Sequence, residues 1–110
     1  VANMHLYFLF QLARFLGFEP ERCNLPEPYY WDLRNGVFQK NHPDHPDYVS
    51  TENSAIFNRL LNSKLYELQE IPLSGSKRTE LLRELLHYFY IHRNGMQQIK
   101  SLSVLEMLFH

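Results

Sequence analysis

Cysteine and glycine are both scarce in this sequence, and each shortage excludes a class of protein. Cys23 is the only cysteine among 110 residues, so the chain cannot form an internal disulfide, which favours a reducing, cytoplasmic setting. The four glycines are scattered, and none belongs to a glycine-rich loop of the kind that cradles phosphates. A disulfide-stapled fold and a phosphate-binding loop are therefore both excluded.

The chain also lacks an excess of either charge and a long apolar run. Its 11 Lys and Arg residues against 12 Asp and Glu residues give a formal net charge of −1. No global field attracts nucleic acid, so any binding to DNA must be local. The apolar stretch from Leu6 to Phe10 is far shorter than the ~20 residues of a membrane-spanning helix. We therefore expect no association with a membrane.

What the sequence does contain is enough apolar surface for one hydrophobic core, arranged mostly with helical spacing. Hydrophobic residues make up 45% of the chain and aromatic residues 15%. Helices are predicted over residues 2–16, after Ser50 or Thr51 through Leu61, at 65–68, over 76–95 and over 104–109. The fold class expected is mainly α, a small bundle of four to five helices with one inserted β-hairpin.

The stretch from Ser76 to Gly95 has the strongest pattern, with leucines recurring at three- and four-residue spacing up to Phe89. Ser76 is suited to cap the start of this helix, and Gly95 to close it in the left-handed conformation. Glu80 and Glu84 fall between the leucines, on a face expected to be exposed. Acid–base chemistry would need one of them buried, which the pattern does not indicate.

A hairpin is predicted around Asn35-Gly36, because aromatic and β-branched residues flank this turn signal on both sides. A two-stranded ribbon alone is barely stable, so we expect it to pack on the helices through Tyr30, Trp31 and Phe38. The whole insertion is predicted to span residues 19–49 of a single helical domain covering residues 1–110.

A metal-dependent or thiol enzyme that uses Cys23, His42 and His45 is one alternative function. His42 and His45 lie with Asp44 and Asp47 in a short loop, and imidazole and carboxylate groups are good metal ligands. Each histidine precedes a proline, however, and no second cluster completes four ligands. A solvated turn is the favoured interpretation, so no metal site, no cofactor and no enzyme activity are predicted.

The basic and aromatic residues suggest partner-binding surfaces. If the 76–95 helix packs antiparallel to the last helix, Arg93 and Lys100 come close beside apolar Ile99, Leu102 and Leu105, which would form a notch for an acidic peptide with an apolar end. Two cations at the start of the 76–95 helix and two rings of the hairpin region are weaker candidates for contact with DNA, namely Lys77, Arg78, Tyr29 and Trp31. Ordinary surface charge and core packing are the alternatives.

Two stretches resemble the C-terminal helical domain of the bacterial recombination mediator RecO. One is the run from Leu16 to Cys23, similar to the family's helix end followed by Gly-Phe-x-Pro and a first zinc-ribbon cysteine. The other is the tail of the 76–95 helix followed by Ile99-Lys100-Ser101-Leu102, similar to the family's lysine-serine turn. The resemblance covers nearly the whole chain in the correct order.

The sequence departs from the zinc-bearing members of that family. Cys23 matches the first ligand, but Pro26 stands where the first pair would be completed, and Gln39 and His42 align with the second pair. One thiolate and one imidazole do not make a tetrahedral site, so the hairpin is expected to be a degenerate zinc ribbon held by aromatic packing.

The resemblance implies a DNA repair and recombination mediator rather than an enzyme. Such proteins bind the single-stranded-DNA-binding protein SSB through its acidic C-terminal tail, bind RecR, contact single- and double-stranded DNA, anneal strands and help to load RecA. The family's DNA-binding OB-fold precedes the matching region, and this chain starts with Val1 close to a helix. We therefore expect a fragment of a longer protein. A structural helical module that dimerises through an apolar face is a further alternative.

Overall fold

The computed structural model of the chain describes residues 3–95, in which helices alternate with one small sheet. The elements in order are α1 (Met4–Leu16), β1 (Tyr30–Asp32), β2 (Val37–Gln39), β3 (Tyr48–Val49), α2 (Thr51–Leu61), a 3-10 helix (Leu65–Glu70), α3 (Gly75–His92) and a 3-10 turn (Arg93–Gly95). Within this range there are three α-helices and a three-stranded sheet, so the helical character is confirmed but the count of four to five helices is not. The helix predicted over 104–109 lies outside the described residues.

The predicted first helix and its end at glycine are confirmed in α1. The side buried against the core presents Leu6, Leu9, Phe10, Ala13 and Leu16. Gly17 follows in the left-handed conformation with φ 95°, and its N–H donates to the carbonyls of Ala13 and Arg14. Glycine adopts this conformation without the penalty that a Cβ imposes, which is why the helix ends there.

The helices α2 and α3 both begin at serine caps, one predicted and one displaced. Of the two cap candidates for α2, Ser50 and Thr51, the cap is Ser50, whose Oγ accepts from the Asn53 N–H. In α3 the cap is Ser74, whose Oγ accepts from the Lys77 N–H at 3.1 Å, so the prediction of Ser76 was wrong by two residues. Ser76 instead lies inside the first turn. At the other end, α3 continues into the 3-10 turn that includes Gly95.

The hairpin around Asn35-Gly36 is confirmed, and a third strand that the sequence did not indicate joins it. The strands are antiparallel in the order β2-β1-β3, and Trp31 is paired with Phe38 on one side and Val49 on the other. These paired residues share the face that packs on the helices, because residues directly opposite each other on neighbouring antiparallel strands point to the same side. The turn is held by Asp32, whose Oδ1 accepts from the Arg34 N–H at 2.9 Å.

The centre of the core is Trp31, whose side chain is fully buried between sheet and helices. Its ring stacks on Phe38 at 5.8 Å and lies 5.0 Å from Phe57 of α2 and 4.8 Å from Tyr88 of α3. The aromatic packing expected to hold the ribbon is therefore present. Ser54 adds a polar link, because its hydroxyl accepts from the Trp31 N–H and donates to the Val49 carbonyl.

The helices α1 and α3 lie side by side and run in the same direction. Their first turns share a depression lined by His5, Leu6, Gly75 and Arg78. Their last turns meet where the ring of Phe18, just beyond α1, stacks on His92 at 5.6 Å. No helix within residues 3–95 has the length and apolarity needed to cross a membrane.

Candidate partner-binding site

The predicted notch has one described member, Arg93, which follows α3 directly. Its guanidinium donates to the Tyr90 carbonyl at 2.6 Å, and its Cζ lies 3.7 Å from the centre of the Tyr90 ring. A guanidinium over an aromatic face keeps its charge while losing rotational freedom. The other predicted members, Ile99, Lys100, Leu102 and Leu105, lie outside the described residues, and their part in the notch stays a prediction.

The end of α3 that carries Arg93 is anchored to two other parts of the fold. His92 Nε2 lies 2.7 Å from the Leu33 carbonyl, and because a carbonyl only accepts, this nitrogen must carry the proton. The Tyr88 hydroxyl donates to the Phe18 carbonyl. Burial raises the pKa of the Tyr88 phenol, and the nearby Glu19 charge raises it further, so the hydroxyl stays a donor at any ordinary pH. These two hydrogen bonds therefore hold the end of α3, which Arg93 directly follows, in a fixed position.

The cations predicted to contact DNA at the start of α3 are occupied by the fold itself. Lys77 Nζ lies 3.0 Å from both Asn53 Oδ1 and Glu80 Oε2, and the hydrogen bond to Glu80 is the largest cause of its raised pKa. Arg78 donates to the Leu73 carbonyl at 2.6 Å. The bond from Lys77 to Asn53 links α3 to α2, and the bond from Arg78 holds the segment just before α3. Glu52 and Glu80 make the surroundings of Lys77 acidic, which is unfavourable for a phosphate.

The stacking role predicted for Tyr29 and Trp31 disagrees with their burial. Tyr29 is only 3% exposed and Trp31 is fully buried, so neither offers a face to a base. The physical reason is core packing: Trp31 contacts Phe57 and Tyr88 from the helix-facing side of the central strand, and the Tyr29 ring packs on Phe38 at 5.5 Å. The tyrosines on the other side of the sheet are Tyr30 and Tyr48, whose rings are 5.7 Å apart.

The His-Pro-Asp loop is tied down by its own side chains and by α3. Asp47 accepts from Arg34 Nε at 2.7 Å and lies 3.0 Å from His87 Nε2, and these two contacts lower its pKa. His45 Nδ1 accepts from the Asp47 N–H, while His45 Nε2 lies 3.0 Å from Asp32 Oδ1. Within residues 3–95 no three His, Cys, Asp or Glu side chains are grouped so as to hold a metal ion.

Cys23 is half-buried in the link between α1 and the sheet, and no histidine among the described residues contacts its thiol. The side chain of Asn58 bonds both backbone groups of Cys23, accepting from its N–H at 3.0 Å and donating to its carbonyl at 3.2 Å. The same amide donates to the Tyr29 hydroxyl at 3.0 Å. These hydrogen bonds from the Asn58 side chain attach the segment between α1 and the sheet to α2. An amide cannot act as the base that thiol chemistry needs.

The pair Glu80 and Glu84, which the sequence placed on an exposed face, is partly enclosed. Asn53 Nδ2 donates to Glu80 Oε2 at 2.6 Å and to Glu84 Oε1 at 2.8 Å. Desolvation is the largest cause that raises the pKa of Glu84, whereas the hydrogen bond from Asn53 leads the causes that lower the pKa of Glu80. The available signal was a polar Asn53 on the inward stripe of α2, four residues before Phe57.

Comparison with known proteins places the chain in one family. The family described as "Recombination protein O C terminal" matches residues 1–103. The chain is 32% identical over 98% of its length to a DNA repair protein RecO of Azobacteroides pseudotrichonymphae, covering 45% of that protein. It is 36% identical over 99% of its length to a DNA repair protein RecO of Christiangramia forsetii, again covering 45%.

A third relative, the DNA repair protein RecO of Bacteroides fragilis, is 34% identical over 98% of this chain. The chain spans somewhat less than half the length of these relatives, 45% in each case. No solved structure matches it. Because the family match extends over almost the whole sequence, the chain belongs to the recombination protein O family, in the region described as its C-terminal part.

Proposed function

We propose that this chain is the partner-binding C-terminal part of a DNA repair and recombination mediator of the RecO type. The observation that carries the proposal is the family match over residues 1–103. The longer protein would bind single-stranded DNA through a preceding OB-fold, anneal complementary strands, and cooperate with SSB, RecR and RecA. This part would act by binding alone, without turning over a substrate.

The site proposed for the acidic SSB tail begins at Arg93. Its guanidinium is held by the Tyr90 ring and carbonyl at the fixed end of α3, so little conformational freedom is lost when a carboxylate binds. Lys100 would supply the second cation. Ile99, Leu102 and Leu105 would take the apolar side chain at the end of the tail. With a net charge of −1, the chain relies on such a local pair of cations.

The test is fluorescence anisotropy of a labelled peptide that copies the acidic C-terminal tail of the host SSB, titrated with this chain at low and moderate salt. A hydrogen bond to a charged group contributes about 1.5–3 kcal/mol, so Arg93→Glu and Lys100→Glu should each weaken binding by roughly tenfold or more. Leu105→Ser should weaken binding without changing its salt dependence.

Arg83→Glu is the matched control. Arg83 is exposed on α3, the helix that Arg93 directly follows, and it makes no ion pair within residues 3–95. It should bind the peptide as the wild type does, apart from a small change shared by any surface charge. Equal affinity for wild type, Arg93→Glu and Lys100→Glu would rule out this site. Absence of binding by the wild type at both salt concentrations would rule out a tail site in this part of the protein.

A further inference from the structure

The tripeptide Arg-Asn-Gly occurs twice in the sequence, at residues 34–36 and at residues 93–95. An asparagine before glycine is prone to deamidation, because glycine has no Cβ to hinder the approach of its backbone nitrogen to the asparagine side chain. The rate depends on how freely the two residues reach that geometry. The two copies share the reacting atoms and the preceding arginine, so a difference in their rates reports the fold around them.

The first copy is held in the hairpin turn by Asp32. The Asn35 side-chain amide donates to Asp32 Oδ2 at 2.9 Å, and the Gly36 N–H donates to the Asp32 carbonyl at 2.8 Å. Gly36 also lies against α3, since a Cβ added there would be 3.1 Å from the Tyr88 hydroxyl. Both reacting groups are therefore restrained, and deamidation of Asn35 requires the hairpin to open.

The second copy forms the 3-10 turn that follows α3. Asn94 is exposed, and its side chain makes no hydrogen bond within residues 3–95. A three-residue turn at the end of a helix opens at a smaller cost in free energy than a turn of a sheet that packs on the core. The Gly95 nitrogen can therefore approach the Asn94 side chain while the rest of the domain stays folded.

We propose that Asn94 is a site of spontaneous deamidation and that the hairpin protects Asn35 from the same reaction. The backbone nitrogen of Gly95 attacks Cγ of Asn94 and loses its proton. The side-chain nitrogen of Asn94 takes up a proton and leaves as ammonia, so that a cyclic imide forms. Water then adds to either carbonyl of the imide and opens the ring to aspartate or isoaspartate. A neutral amide is thereby replaced by a carboxylate, with water as the co-reactant and no change of oxidation state.

The new carboxylate lies next to the cation of the proposed partner-binding site. Arg93 directly precedes Asn94, and its guanidinium lies over the Tyr90 ring. A negative charge at position 94 competes with an acidic partner for that guanidinium. This consequence rests on the proposed function, whereas the difference between the two asparagines does not.

Mass spectrometry of the full 110-residue chain, incubated at neutral pH and digested at intervals, measures deamidation of both asparagines in one sample. In the folded chain Asn94 should deamidate at least about tenfold faster than Asn35, because opening the hairpin costs more free energy. In urea the two rates should approach each other, since unfolding removes the protection. Equal rates in the folded chain, or reaction of Asn94 only after unfolding, would overturn the proposal.

Gly95→Ala is the matched control for the chemistry, because its Cβ hinders the attacking nitrogen. It should slow deamidation of Asn94 several-fold and leave the rate at Asn35 unchanged. An unchanged rate at Asn94 would overturn the imide route.

Anisotropy with the acidic SSB tail peptide tests the consequence for binding. Asn94→Asp should bind the peptide about two- to fivefold more weakly than Asn94→Ser at low salt. Equal affinities would overturn the competition with Arg93. Absence of binding by the wild type would overturn the tail site and this consequence together, while the ratio of the two deamidation rates decides the modification site on its own.

Discussion

At the scale of single residues, Asn53 links two glutamates whose pKa values shift in opposite directions. One amide donates to two carboxylates on α3 and accepts from Lys77, but the two carboxylates experience different surroundings. Glu80 keeps the lysine and the amide as partners and has a lowered pKa, whereas Glu84 is desolvated and has a raised pKa. The contributions of these two glutamates to stability, one helical turn apart, therefore depend on pH with opposite signs.

The first prediction concerns Glu84→Gln. Because the folded state raises the pKa of Glu84, its proton contributes stability at pH below the unfolded value, and this contribution is lost as pH rises through the folded value. Glu84→Gln should therefore be more stable than the wild type at pH 7, and the difference should shrink as pH falls through the raised pKa of Glu84 towards its unfolded value of about 4.5. Urea unfolding of both proteins between pH 4 and pH 7 measures this difference in the free energy of unfolding.

Glu80→Gln is the control for that series, with the opposite sign. The folded state lowers the pKa of Glu80, so its charge contributes stability above the unfolded pKa, and that contribution disappears as pH falls through the folded value. Glu80→Gln should be less stable than the wild type at pH 7 and should approach it in acid. The same trend in both variants would contradict the different environments described for the pair.

The second prediction concerns Ser54, which is fully buried. Ser54→Ala removes the acceptor of the Trp31 N–H and the donor to the Val49 carbonyl, leaving two backbone groups without partners. Each buried unsatisfied group costs about 1–3 kcal/mol, so losing both partners should lower the free energy of unfolding by about 2–6 kcal/mol. Exposed Ser76→Ala should change it by less than about 0.5 kcal/mol. Similar losses in both variants would refute the bridging role.

At the scale of elements, Gly17 after α1 and Gly36 in the hairpin turn share a left-handed backbone conformation but differ in how closely other atoms approach them. Gly17 has φ 95° and an added Cβ would meet no atom within 4 Å, whereas Gly36 has φ 68° and its added Cβ would lie 3.1 Å from the Tyr88 hydroxyl. Both positions require the left-handed region, but only the hairpin turn is also pressed against a helix. A side chain at position 17 would therefore meet backbone strain alone, whereas one at position 36 would meet both backbone strain and a steric contact with Tyr88.

The third prediction follows from that difference. Gly17→Ala should lower the free energy of unfolding by about 1–2 kcal/mol through backbone strain alone. Gly36→Ala should cost about 1 kcal/mol more, because Tyr88 must shift and its hydrogen bond to Phe18 weakens. Thermal and urea unfolding of both variants test the order. Equal costs would mean that the turn does not press on Tyr88.

The elements also show which features a sequence can reveal. α1 with its end at Gly17 and the hairpin at Asn35-Gly36 were predictable, because glycine and helical or alternating spacing are local signals. The strand Tyr48–Val49 was not, since two residues are too short to show alternation and exist as a strand only by pairing with β1.

In the candidate site, too, local features could be predicted from the sequence and features that depend on distant residues could not. The basic character of Arg93 was readable, but its contact with the Tyr90 ring depends on where α3 turns into a 3-10 conformation. The packing of Trp31 on the helices was expected from the hairpin, but its contact with Phe57 and the partial burial of Glu84 beside Asn53 were not, because these partners are more than 20 residues away. Long-range packing leaves no periodic trace in the sequence near those residues.

At the scale of the whole molecule, one tryptophan reports on the sheet and the helices together. Trp31 contacts rings from β2, α2 and α3, so the sheet cannot separate from the helices without changing its surroundings. The fourth prediction is that tryptophan fluorescence and far-ultraviolet circular dichroism give the same urea midpoint, as a two-state transition requires.

As a control, Trp31→Phe should lower the midpoint by circular dichroism, because a smaller ring leaves a cavity among Phe38, Phe57 and Tyr88. A fluorescence midpoint well below the dichroism midpoint would show that the sheet unfolds first. In that case the ribbon would be an accessory to the helices rather than part of their core.

The placement of Trp31 also has a consequence for how the protein is made. Its neighbours come from chain positions as far apart as Phe38 and Tyr88, and α1 packs beside α3, the last α-helix described. During translation, a nascent chain that has reached only the 3-10 helix at residues 65–70 lacks α3, so the core-facing side of α1 and the side of Trp31 that Tyr88 covers are exposed. Loop closure over such separations slows folding. We therefore expect the ribosome-bound chain to depend on chaperones until α3 emerges, and then to fold in one step.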